Sequence, residues 1–353
     1  MDVDVLVVGA GICGTMLSWY LQREGLRVLL YDEETENSSS LRAAGVINPV
    51  TGRRYHTTWM ANVLHPFAKE AYTALGTDLQ SQFIFPRTLI DFFPTAEARD
   101  VFIERLREDD TYLHSYPDQN HFNAHFHYNY GCGEITPAYA VNLPLLLASY
   151  KNLMLQKGVL RKEKIDPAAV QLIDGGVQYA GITARWIIFC EGTAAVNNPW
   201  FHLLPFSPTK GEALVIECAG LPNQFIFKRG QMIVPLPVQH TYWVGSSFEW
   251  QFAHPHPTET FRQKTETHLR NWLKHPFKVL FHHAAVRPAT VERRPFVGLH
   301  PAHPQVGIFN GTGTKGASLA PYFAHEFAQR LVHHLPLTPA ADVTRFKKIL
   351  SKQ

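Results

Sequence analysis

The sequence predicts an α/β protein, α+β overall, on three observations. A glycine-rich strand-to-helix turn opens the chain, short evenly spaced strands fill its middle, and a second glycine-rich turn lies near its end. The first of these is VDVLVVGAGICGTMLSWYLQREGLRVLLYD, from Val3 to Asp32. Its apolar run, Val5 to Val8, reads as a strand buried on both faces. Gly9, Gly11 and Gly14 follow at G-x-G-x-x-G spacing. A helix-compatible stretch, Gly25 and a second apolar strand, Val28 to Tyr31, then lead to Asp32. Gly9 makes the tight turn, Gly11 lets the backbone approach a pyrophosphate, and Gly14 lets the helix lie on the strand. The helix start offers free N–H groups to phosphates, and an acid roughly 20 residues on accepts hydrogen bonds from a ribose. The spacing therefore predicts a dinucleotide-binding βαβ unit. A tight turn that binds nothing would leave Asp32 unexplained.

Beyond Asp32 a polar loop over residues 33–40 leads into LRAAGVINPVTGRRY. Ala43, Ala44 and Gly45 are small enough for backbone to lie against something flat. Ser40 and Arg42 carry donors for a phosphate or a ring carbonyl; an ordinary Gly-Pro loop is the alternative. A helix is expected over residues 58–75, interrupted by Pro66, then a pair of strands over 83–93 and an amphipathic helix over 96–108. Residues 131–136 are expected to lead through Pro137 into a helix over about 140–156. Asp174-Gly175-Gly176 predicts a hairpin over 170–180. Trp186 to Cys190 reads as a short strand running into Glu191-Gly192, the carboxyl edge where a parallel sheet meets a bound cofactor. Short strands at 214–217, 225–227, 232–235 and 242–246 predict an antiparallel sheet, and residues 258–273 a helix. Near the end, a strand over Val306 to Asn310 precedes GTGTKGASLAP. There Gly311, Gly313 and Gly316 form a backbone-lined cradle before a helix expected to begin at Pro321. This interleaving predicts a second domain, residues 81–137 and 206–284, inserted into a dinucleotide fold made of 1–80, 138–205 and 285–353.

Composition excludes several classes. A chain of 353 residues supports a large core and two domains. The net charge of +3 is too small to argue for nucleic acid by itself. No run approaches the ~18 apolar residues of a membrane span, and a strand that begins at once, with Asp2 and Asp4, reads against a signal peptide. Cys13 lies inside the glycine turn, and Cys132, Cys190 and Cys218 are scattered, so reduced thiols in a cytoplasmic protein are expected. His121, His125 and His127 fall among aromatic residues and read as a strand with one polar face. With no converging carboxylate or cysteine, no metal is expected.

The motifs, in this order, resemble the amino-acid and amine oxidoreductases of the D-amino-acid oxidase, glycine oxidase and sarcosine oxidase superfamily. The resemblance spans nearly the whole chain: VVGAGICG with the acid of VLLYD, SLRAAGVINP, IIFCEG, KGEALVIE with the later VPLP and YWVGSS strands, and VRPATVERRPFVG followed by NGTGTKGASLAP. Two loops, GVINPVTG and GTKGASLAP, are similar to the oxidoreductase half of the bifunctional enzyme that completes methylaminomethyl-thiouridine in tRNA. That enzyme removes a carboxymethyl group by flavin oxidation; no methyltransferase half is present here.

The resemblance implies a Rossmann-like FAD-binding domain with an inserted antiparallel-sheet substrate domain, and FAD rather than NAD. It places the adenosine end at Gly9, Gly11, Ile12, Cys13, Gly14, Asp32 and Glu33. Ser40, Arg42, Ala43, Ala44, Gly45 and Val46 would lie along the pyrophosphate and ring, with Gly192 approaching the cofactor. Gly313, Thr314, Lys315, Gly316, Ala317, Ser318 and Leu319 would wrap the pyrimidine edge, and the helix after them would set partial positive charge near the flavin C2 carbonyl. Relatives that tether flavin use a cysteine before the last glycine loop or a histidine before the A-A-G cluster. Here those stretches offer Arg287-Pro288 and Arg42, which implies non-covalent FAD. The implied reaction is oxidation of the C–N bond of a small amino acid or secondary amine by hydride transfer to flavin N5. Arg287 of V-R-P would bind the substrate carboxylate bidentately. Lys315 would stabilise the reduced flavin, activate oxygen or simply be solvated, and Lys210 is a weaker candidate. Flavin-dependent tRNA wobble-uridine modification and a non-catalytic flavin-binding protein are the alternative readings.

Overall fold

The computed structural model describes residues 1–35 and 37–351. Two sheets organise them. Val3–Val8 lies in the middle of the first, with Val28–Tyr31 and Ile182–Phe189 parallel on either side. Leu160–Arg161 continues beyond Val28–Tyr31. Val306–Asn310 runs parallel to the far half of Ile182–Phe189, and Phe296–Leu299 pairs antiparallel outside it. The expected hairpin is present as Gln171–Ile173 and Gly176–Tyr179, attached to the near half of Ile182–Phe189. Val5, Leu6 and Val7 have no exposed surface, as a parallel strand covered on both faces requires. One cover is the helix Ile12–Arg23, which packs between this sheet and the helix Gly316–His333.

The second sheet runs in the order Lys278–Arg287, Thr209–Glu217, Thr241–Gly245, Gln231–Pro235, Phe225–Arg229, Ile84–Phe92, Cys132–Val141 and Val46–Ile47. Its pairings are antiparallel except one: Phe225–Arg229 lies parallel to Ile84–Phe92. The exception arises where two chain segments, 84–141 and 209–287, meet side by side. The strands Cys132–Val141 and Lys278–Arg287 run across two of the expected domain limits, at 137/138 and 284/285.

The helix Ala96–Glu108 has the expected bounds, with Thr95 Oγ1 accepting from Ala98 N at 3.2 Å as its N-cap. Other elements differ from expectation. Residues 83–93 hold one strand, Ile84–Phe92, and not a pair. Pro137 sits inside the strand Cys132–Val141, and the helix that follows, Leu143–Gln156, starts behind the Asn142 cap. The helix Ala61–Asp78 continues through Pro66. The histidine segment is turns, not a strand: Phe122 and Phe126 are fully buried and fasten it to the sheet. The last long helix begins at Gly316, so Pro321 is inside it. Proline has no N–H to give the Ala317 carbonyl four residues back. Tyr72 of the helix Ala61–Asp78 supplies the missing donor, its hydroxyl bonding Ala317 O at 2.8 Å.

Candidate active site

The two glycine-rich ends of the chain meet. A Cβ at Gly316 would lie 3.3 Å from Ile12 Cγ2, and Cys13 Sγ is 3.9 Å from Thr312 Oγ1. Two cavities follow the crevice beside this junction and share Ile12, Ser39, Ser40, Ala285 and Thr312 in their walls.

The first cavity is walled by Gly9, Gly11, Ile12, Cys13, Asp32, Glu33, Ser40 and Gly192. Gly9 has φ of 96°, and a Cβ there would sit 2.6 Å from Cys190 O, so only glycine makes this turn. Gly11 caps the helix Ile12–Arg23 without a side chain, and Ile12 N donates to Ser40 Oγ at 3.1 Å, which brings that hydroxyl to the helix start where a phosphate would bind. Gly14 does not reach the cavity; a Cβ there would fall 1.8 Å from Gly9 O, which makes it the helix-on-strand contact. Asp32 accepts from Ala10 N at 3.0 Å and forms an ion pair with Lys151, a wall residue that the sequence did not single out. Burial pushes the Glu191 carboxyl up to about 7, although Asn198 Nδ2 donates to it at 2.7 Å. Burial likewise pushes the Cys13 thiol up to about 12, so it is no nucleophile at neutral pH.

The second cavity is walled by Arg42, Ala43, Ala44, Gly45, Val46, Gly313, Thr314, Lys315, Gly316 and Ala317. Ser318 and Leu319 turn inward; Ser318 Oγ donates to Lys315 O at 3.1 Å, and Leu319 joins the core. The floor is one face of the second sheet, where alternation presents Gly211, Ala213, Trp243, Met232, Lys228, His283 and Arg287. Arg287 Nη2 donates to Ser246 Oγ at 2.7 Å, and both Nη atoms donate to Ser247 O at 3.3 Å. A Cβ at Gly211 would be 1.8 Å from Nη2, so the guanidinium occupies the space a side chain would fill. Lys315 Nζ donates to Asn48 Oδ1 at 3.3 Å, and burial lowers its pKa to about 8. Among the described residues neither cation pairs with a carboxylate. Lys228 does, with Asp91 Oδ2 at 2.6 Å. Lys210 is removed from the candidates: fully buried behind the sheet, it pairs with Glu212 at 3.0 Å.

A glycine cradle at a strand–helix turn, an acid at the second strand's end and a neighbouring cavity with uncompensated cations define a dinucleotide-dependent redox enzyme. The chain belongs to the FAD dependent oxidoreductase family, DAO, whose model matches residues 4–330. It is 24% identical over 342 residues to a glycine oxidase of Pseudomonas aeruginosa, covering 91% of this chain and 92% of that protein. Its fold is similar to that of glycine oxidase from Geobacillus kaustophilus, with TM-score 0.79, 18% identity, and 98% and 97% of the two chains covered. Iminodiacetate oxidase from Chelativorans sp. is similar at TM-score 0.72 and 18% identity, with 96% and 98% covered. FAD is the cofactor. The glycine positions that a Cβ would obstruct and the helix start with Ser40 beside it fit its pyrophosphate. Among the described residues there is no cluster of three or more His, Cys, Asp or Glu suited to a metal, and no helix long and apolar enough to cross a membrane.

Proposed function

We propose that this enzyme oxidises the C–N bond of a small amino acid or a secondary amine that carries a carboxylate. Arg287 carries the reading: a guanidinium mostly removed from water, bonded only to neutral oxygens among the described residues, at the floor of the cavity. A planar fork in that state is suited to bind a carboxylate bidentately and so to orient the amine. FAD, when bound, supplies the acceptor for the hydride that leaves the carbon beside nitrogen. Gly211, Ala213 and Ala285 keep the floor flat, and Trp243 and Met232 exclude water from its middle. Lys315 places positive charge at the glycine loop where electron density increases. Relatives named as glycine oxidases and an iminodiacetate oxidase support a substrate of this size.

The test is anaerobic mixing of the holoenzyme with a panel of N-substituted glycines and D-amino acids. At least one should bleach the flavin absorbance at a rate that saturates with concentration. A flavin that stays oxidised across the whole panel overturns the reading. Exposed Arg53 and Arg54 at the tip of the hairpin Val50–Thr57, beside the second cavity, favour a second reading in which the amine belongs to a tRNA wobble uridine. An unchanged tRNA nucleoside profile in a deletion strain removes it.

A further inference from the structure

Glu212 has no exposed surface, and its carboxylate points away from the cavity, toward the helix Glu259–Trp272 behind the sheet. It nonetheless gathers four hydrogen bonds. Oε1 accepts from Thr258 Oγ1 at 2.8 Å and Lys210 Nζ at 3.0 Å, and Oε2 accepts from Thr258 N at 2.6 Å and pairs with His282 Nε2 at 2.9 Å. A buried ion pair is weak evidence for stability, because apolar residues fill such a space as well; a role in fixing geometry is the better-attested use.

The geometry here concerns one segment. Residues 246–258 leave the strand Thr241–Gly245 as a strap. Ser246 and Ser247 hold Arg287; Pro255 and His256 then line the first cavity, and Thr258 caps the helix behind. The strap is fastened at three places, each time to Lys210 or Glu212. Ser247 N donates to Glu212 O at 3.2 Å while Glu212 N donates to Ser247 Oγ at 2.9 Å. Lys210 and Glu249 exchange both backbone bonds, at 2.9 and 3.0 Å. Thr258 hangs on the carboxylate by N and Oγ1.

We propose that Glu212 is a positioning residue for carboxylate recognition. Its carboxylate, behind the sheet, holds the Thr258 end of the strap while its backbone N and O hold the Ser247 end, and together they fix the Ser246 hydroxyl and Ser247 carbonyl that aim the Arg287 guanidinium. The proposal rests on the reading of Arg287 as the carboxylate-binding group.

The experiment uses flavin-loaded enzyme and acetate as a carboxylate probe, its dissociation constant read from perturbation of the flavin spectrum. Thr258→Val keeps the Lys210–Glu212 pair and the bond from Thr258 N, but removes the hydroxyl's bond to the carboxylate and so loosens the far end of the strap. It should weaken acetate binding about tenfold, the effect of one lost hydrogen bond to a charged group. KM for a carboxylate-bearing amine should rise in parallel, while kcat for an amine without a carboxylate stays unchanged. Thr258→Ser, which keeps the hydroxyl, should restore the affinity. Glu212→Gln is the second variant and should weaken acetate at least as much. Folded, flavin-loaded Thr258→Val and Glu212→Gln with unaltered acetate affinity overturn the proposal. Arg287→Met separates the two levels: if it abolishes acetate binding while the strap variants do not, only the role of Glu212 fails. If Arg287→Met leaves acetate affinity intact, the reading of Arg287 fails as well.

Discussion

Arg287 is charged, largely desolvated and satisfied by a hydroxyl and a carbonyl. Burying a cation without an anion is unfavourable, and an arriving carboxylate offsets that cost. Arg287→Lys should therefore lower kcat/KM for a carboxylate substrate about 100-fold, mostly through KM, as expected for roughly 2–3 kcal/mol of bidentate bonding. Steady-state kinetics against a carboxylate-free amine provides the control. Lys315 gives a pH signature. With a pKa near 8 it is charged below that pH and neutral above it. A rate that depends on its charge should decline as pH rises through about 8, and Lys315→Met should remove that inflection from the pH–rate profile. Glu191 reports through stability. Its folded pKa, near 7, lies above the ordinary 4.5 of a glutamate, so between them the folded state holds more protons than the unfolded one. Stability contributed by its protonated form is lost as pH rises through that window. Glu191→Gln should accordingly raise the Tm of the FAD-free protein at pH 8 and leave it unchanged near pH 4. Arg287 and Lys315 stand in recognisable motifs. Lys151 does not, and although Asn48, Gly211 and Ser246 fall inside GVINPVTG, KGEALVIE and YWVGSS, their roles exist only once particular strands and loops have become neighbours.

At the scale of elements, the helix Gly316–His333 combines a ligand-facing start with an internal proline. Tyr72→Phe should cost about 1–2 kcal/mol, since it leaves the Ala317 carbonyl buried without a donor. Adding Pro321→Ala gives that carbonyl its helical partner again and should recover part of the loss. A double-mutant cycle by chemical denaturation checks the coupling, and strict additivity would refute it. The strands that sequence reading missed share a cause. Gly133 and Pro137 argue against a strand, yet Gly133 is where the Phe102 ring lies against the backbone, a Cβ there falling 2.2 Å from Phe102 Cζ. Lys278–Arg287 hides its period because neighbouring His282 and His283 serve opposite faces, one on Glu212 and one at the cavity. Conversely, the alternation around His125 comes from turns pinned by Phe122 and Phe126. Where an apolar run is continuous, as at Val5–Val8, or a cap and a charged face coincide, as at Ala96–Glu108, local sequence was sufficient.

At the scale of the molecule, the cofactor crevice joins walls drawn from both sheets, so FAD should brace the whole structure. At a free concentration 100 times its dissociation constant, FAD should add about 2.7 kcal/mol to unfolding stability, visible as a Tm that increases with added FAD. Each sheet is assembled from segments distant along the chain. Val46–Ile47 waits for Cys132–Val141, and Ile182–Phe189 waits for Val306–Asn310. During synthesis, therefore, the ribosome delivers more than a hundred residues beyond Phe189 before the parallel strand beside Ile187 and Phe189 exists, at Val306. A nascent chain halted near residue 300 leaves that apolar edge open to other chains and lacks one wall of the crevice. Release of such a fragment should yield aggregates that retain no flavin, and translation of the segment that follows residue 300 becomes the step at which this protein is most exposed to failure.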